Sequence, residues 1–166
     1  MTNIIKVETP EQIADTAELA REIWTKHYIP IVGQALVDYM LENFQSEHAI
    51  ESQLTAGYEY YLIIQNNENA GYIALVPNPE ANELMISKLY VSKSVRGQGL
   101  GQTMLQFAED ICRERGLTTL WLTVNKNNAG SIKWYIRSGF RNAESIVQDI
   151  GNGFVMDDYR MEKTVV

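Results

Sequence analysis

The chain has 166 residues, a formal net charge of −7 and a pI near 4.8. This length fits one domain, residues 1–166, able to bury roughly two-thirds of its unfolded surface, and the acidic balance argues against nucleic acid as a partner. A lone Cys112 excludes an internal disulfide and fits a reducing cytoplasm, His27 and His48 alone give little support to a metal site, and no apolar run nears membrane-spanning length.

Thr9-Pro10-Glu11-Gln12 is a capping box with proline at the first helical position, and Ile13, Ala17, Ala20, Trp24 and His27 continue it as a helical stripe. A break is expected at Pro30 and Gly33. Leu36, Val37, Met40, Leu41 and Phe44 mark a second helix, and Ser46 to Ala56 a third, short one before Gly57. Tyr60 to Gln65 and Gly71 to Val76 predict a hairpin around Asn66-Asn67-Glu68-Asn69, with Pro77-Asn78-Pro79 breaking the chain after it. Glu83 to Val91 is the next strand. A helix from about Leu100 to Arg115 follows, with Cys112 among its core residues, and Thr118 to Val124 forms a strand parallel to the one before it. Arg141 to Ile150 and Phe154 to Thr164 close the sheet as a hairpin around Gly151-Asn152-Gly153.

The most informative stretch joins the strand ending Leu89-Tyr90-Val91 to its helix through Arg96-Gly97-Gln98-Gly99-Leu100-Gly101-Gln102-Thr103. Alternating glycines let backbone approach an anion, the amides of the following helical turn have no helical partners, and Arg96 adds a fixed positive charge. Gly-x-Gly is not followed by the third glycine of a dinucleotide fingerprint, and Gln102-Thr103 lacks the lysine of a nucleoside triphosphate loop. Downstream, Asn128 suits a helix N-cap, Tyr135 lies seven residues on, and Gly139-Phe140 closes the segment.

These two segments together resemble the GNAT N-acetyltransferase superfamily, and within it the spermidine/spermine N-acetyltransferases of the PaiA type in length, in the run Tyr58-Glu59-Tyr60-Tyr61 and in the spacing from Val124 to Tyr135. Ser131 departs from the family's usual alanine. The resemblance implies an α+β fold, with a mixed central sheet of about six to seven strands flanked by helices. It also implies transfer of an acetyl group from acetyl-CoA to a primary amine by direct attack. On that basis the pyrophosphate of coenzyme A sits on Arg96 to Thr103, and a backbone NH near Leu89, Tyr90 or Val91 polarises the thioester. Asn128 contacts the coenzyme arm, and Tyr135 protonates the departing thiolate. No metal is implied, and homodimers are common in the family. The strand position that often carries a catalytic glutamate is Ser87 here. Glu83, with the same strand parity, is a candidate base or an ordinary strand-start carboxylate, so no base is assigned.

Charge is unevenly distributed. From Lys88 to Arg141 nine basic residues face three acidic ones, giving +6, and the remainder has five against eighteen, giving −13. A basic half suits the phosphates of coenzyme A, and an acidic half suits a small cationic amine, with a polyamine the expected acceptor. A peptide N-terminus, another small amine, or a non-catalytic acetyl-CoA sensor are the alternatives.

Overall fold

A computed structural model describes residues 2–95 and 97–166, so Arg96 lies outside the described residues. The chain divides into two compact units, with strand β4 (Glu83–Val91) split between them after Ser87. One comprises Met1–Val76 with Lys88–Leu105, and the other Pro77–Ser87 with Gln106–Val166.

In the first unit, β1 (Thr2–Lys6) pairs antiparallel with β2 (Glu59–Gln65), and β2 with β3 (Glu68–Asn78). Between β1 and β2 the chain forms α1 (Pro10–His27), α2 (Ile29–Val32), α3 (Gln34–Phe44) and α4 (Glu47–Thr55). Thr9 caps α1 as expected, with both hydrogen bonds of the capping box in place, and Ser46 caps α4 through the Ala49 amide. Leu19, Ala20, Ile23 and Trp24 of α1 pack with Val37, Ile50, Tyr60, Leu62, Tyr72 and Ala74 into one core.

The break expected at Pro30 and Gly33 is present: α1 ends at His27, Pro30 sits in the first turn of the short α2, where its missing NH costs nothing, and Gly33 at φ 91° ends it. Two boundaries differ from the sequence expectation. The β2–β3 turn is only Asn66-Asn67, both left-handed (φ 54° and 67°), because a two-residue turn of this type matches the twist of paired strands. β3 continues through Pro77 to Asn78, so the chain turns at Pro79–Ala81 instead.

In the second unit β4 runs parallel to β5 (Thr119–Asn125), from Glu83 opposite Thr119 to Ile86 opposite Leu122. β5 pairs antiparallel with β7 (Phe154–Thr164), and β7 with β6 (Arg141–Gly151). Helix α5 (Leu100–Arg115) links β4 to β5, and α6 (Ala129–Arg137) follows β5. The strand order is β1-β2-β3-β4-β5-β7-β6, a mixed seven-stranded sheet of the expected class. Leu120, Leu122, Val124 and Met161 are buried, while Trp121, Thr123 and Asn125 on the other face of β5 are half-buried. Cys112 is buried, and desolvation lifts its thiol to about 11, so it is an inert core residue. Among the described residues no helix is long and apolar enough to cross a membrane.

Candidate active site

In the first unit the end of β4 is pressed against β3. A Cβ on Gly71 would stand 2.5 Å from the Tyr90 carbonyl oxygen and 3.2 Å from Met104 Cε, so only glycine permits this approach. The Ser92 amide donates to the Ala70 carbonyl at 2.8 Å, carrying the sheet hydrogen bonding one residue past Val91. Lys93–Val95 then makes a single 3₁₀ turn. Gly97 and Gly99 follow at φ 85° and 77°, left-handed conformations that an L side chain would strain, with open space where a Cβ would stand. Gly97, Gln98 and Gly99 are exposed, while Leu100 is buried and anchors the start of α5.

The Thr103 amide donates to the Gly99 carbonyl at 3.0 Å, and the Thr103 hydroxyl does the same at 3.0 Å. The amides of Leu100 and Gly101 precede this helical bond and so stand outside the i→i−4 ladder. An exposed, glycine-lined backbone turn leading into a sixteen-residue helix fits an anion such as a pyrophosphate.

In the second unit Asn128 is the N-cap of α6, its side chain accepting from the Ser131 amide at 3.3 Å, and it is buried. Tyr135 is also buried, with its ring 5.6 Å from Phe140 and 5.0 Å from Trp134, centroid to centroid. Gly139 ends the helix at φ 102°, and a Cβ there would come within 3.0 Å of Lys163 Cε.

Glu83 is held at the amino end of β4. Arg160 Nη2 lies 2.8 Å from Glu83 Oε2, Arg160 Nε lies 2.7 Å from Glu162 Oε2, and the guanidinium stacks 3.9 Å above the Trp121 ring. Arg141 joins Glu162 at 2.9 Å. A carboxylate so engaged is a structural ion-pair member, the observation that favours the strand-start reading of Glu83.

Two buried ionisable groups were not legible as such from the sequence. Lys88, in the first unit, is 5% exposed. Its Nζ donates to the Phe44 carbonyl, to Gln53 Oε1 at 3.1 Å and to the Tyr60 hydroxyl, so all three ammonium donors meet acceptors and none of these is charged. Desolvation lowers it to about 7. The signal was present in the alternation Leu84, Ile86, Lys88, which puts this lysine on the buried parity of β4. Asp158, in the second unit, is 7% exposed, and its Oδ1 has no hydrogen-bond partner. Burial, the largest cause, and Asp157 push it up to about 6, against a Thr123 hydrogen bond and Lys126, which lower it.

Residues 17–140 match the Acetyltransferase (GNAT) family model. An uncharacterised N-acetyltransferase from Lactobacillus delbrueckii subsp. lactis is 24% identical across all of this chain and 97% of its own length. A spermidine N(1)-acetyltransferase from Thermoplasma acidophilum is 24% identical over 89% of this chain and 91% of its own. The crystal structure of a PaiA N-acetyltransferase from the same organism, in complex with coenzyme A, superposes with a TM-score of 0.79 over 99% of both chains at 23% identity. The chain belongs to the GNAT acetyltransferase family and is an acetyl-CoA-dependent N-acetyltransferase.

Proposed function

We propose that this protein, acting as one domain over residues 1–166, acetylates a small cationic amine, with a polyamine as the acceptor of choice. The observation that carries the coenzyme half is the exposed turn at Gly97 and Gly99, left-handed and without side chains, ahead of the first bond of α5. In this reading Arg96 to Thr103 hold the pyrophosphate, and a backbone amide among Leu89, Tyr90 and Val91 stabilises the developing oxyanion. Asn128 contacts the coenzyme arm, and Tyr135 gives its proton to the departing thiolate. The roles of Arg96, Asn128 and Tyr135 rest on their match to family positions.

The acceptor half is supported by the −13 charge of the residues outside Lys88–Arg141 and by the spermidine N(1)-acetyltransferase among the relatives. A site lined by one sign of charge raises association rates by roughly tenfold to a thousandfold at low salt, and that gain fades as the Debye length shrinks from ~10 Å at 0.1 M to ~3 Å at 1 M. Thiol release measured across a panel of amines tests the reading. Spermidine and spermine are expected to outperform monoamines at low salt and to lose kcat/KM steeply as salt rises. Equal efficiency for monoamines, or indifference to ionic strength, would remove polyamines while leaving the acetyltransferase assignment intact.

A further inference from the structure

Lys163 lies on the core parity of β7. It stands opposite the buried Leu120 of β5 and two residues after the buried Met161, positions whose parity seldom carries a charge. Two groups receive it there. Its Nζ lies 3.1 Å from Oε1 of Glu109, a buried carboxylate of α5, and donates at 2.8 Å to the carbonyl of Ser138, the C-cap of α6. Gly139 permits this approach, since a Cβ there would stand 3.0 Å from Lys163 Cε and 3.3 Å from its Nζ. Lys163 thus ties the end of α6 to α5 and β7 at one point, where a cation also meets the partial negative charge of the last helical carbonyls. That end carries Tyr135. The Phe140 amide donates to the Tyr135 carbonyl at 3.0 Å and the Gly139 amide to the Ile136 carbonyl at 3.1 Å, the paired bonds of a Schellman ending, while the Phe140 ring packs on the Tyr135 ring. Tyr135 and Ser138 are therefore bonded into a single closing turn. A helix of nine residues depends on tertiary contacts to hold its place.

We propose that Lys163, braced by Glu109, is a positioning residue that sets the Tyr135 side chain for proton donation by holding the Ser138 carbonyl. This rests on the proton-donor reading of Tyr135 above. Removing the ammonium leaves that carbonyl without its lysine and leaves the buried Glu109 to Arg113, whose exposed Nη2 stands farther off at 3.7 Å. An uncompensated buried carboxylate and a released cap carbonyl both draw the closing turn toward new partners. The turn shifts, and Tyr135 shifts with it. A reacting group misplaced by about 1 Å can cost roughly a hundredfold in rate, so a tie remote from the chemistry reads out in turnover.

The test is a double-mutant cycle on kcat, measured with the best acceptor of the amine panel where chemistry limits the rate. Lys163→Met should lower kcat on the order of tenfold to a hundredfold, with acceptor KM and coenzyme A affinity by calorimetry maintained. In the Tyr135→Phe background the same substitution should change kcat little, because the hydroxyl it positions is gone. A lysine that only stabilises the fold would lower the melting midpoint and leave kcat unmoved. Wild-type kcat in a folded Lys163→Met overturns the proposal, and so does an equal loss in both backgrounds. If Lys163→Met does not fold, Glu109→Gln takes its place in the cycle, with the same two outcomes overturning it. An unchanged turnover in Tyr135→Phe alone is a separate result: it removes the proton-donor reading, and the role of Lys163 with it.

Discussion

Lys88 and Asp158 are both charged residues buried in strands of the same sheet, and the two units of the chain finish them differently. Lys88 has its three donors distributed over a helix-end carbonyl, an amide and a phenol, so nothing about it asks for a ligand. Asp158 keeps one oxygen without a donor. A saturated buried charge ties elements together, whereas Asp158 carries an uncompensated desolvation cost, the cause that lifts its carboxyl to about 6. A second contrast separates the candidate binding element of the first unit, which is backbone at Gly97 and Gly99, from the candidate proton donor of the second, which is the side chain of Tyr135.

The sharpest way to break that division is Gly99→Trp. The substitution forces a side chain into a left-handed position, a strain of about 1–3 kcal/mol, and fills the space open to an anion. Coenzyme A binding by calorimetry should be abolished in a folded variant; retained affinity would show that the turn is not the binding element. Tyr135→Phe is the complementary change. It keeps the ring packing against Phe140, so affinity for the coenzyme should hold while turnover falls about a hundredfold to ten-thousandfold where chemistry limits the rate. An unchanged turnover number would remove Tyr135 from proton donation.

Lys88 should report in stability rather than in catalysis. Its folded value near 7 lies below the ordinary 10.5, so between those two pH values the unfolded chain binds more protons and stability rises with pH. Relative to Lys88→Met, the wild type should gain at most about 1.4 kcal/mol per pH unit over that interval, read as a denaturation midpoint measured at several pH values. A difference independent of pH would mean that Lys88 is charged in the fold throughout. The smallest effect is expected from Glu83→Gln. It loosens the partly shielded contact with Arg160, worth on the order of 1 kcal/mol, and should leave the amine kinetics unchanged; a large loss of kcat would return Glu83 to the chemistry.

Local signals placed most elements where the structure has them. The bounds of β4 and α5 agree with the expectation from hydrophobic alternation and helical spacing, and the caps at Thr9, Ser46 and Asn128 were written in residue types whose side chains bond nearby amides. Errors fell where a local rule has two outcomes. Proline usually ends a strand, but a strand can carry one where its missing NH is not needed, as at Pro77.

The sequence by itself determined the glycine turn, the capped segment from Asn128 to Phe140, the alternation of β4 and the family, because each is encoded within a short span by backbone sterics or local hydrogen bonds. The tertiary structure alone decided how these charges were partnered. Counted along the chain, Lys88, Glu83 and Asp158 are three solvated side chains. Folding gave Lys88 three neutral acceptors, gave Glu83 a guanidinium and left Asp158 one bare oxygen, and each outcome depends on partners as far as 77 positions away. Pairing is a property of the packed neighbourhood, and no periodicity carries it.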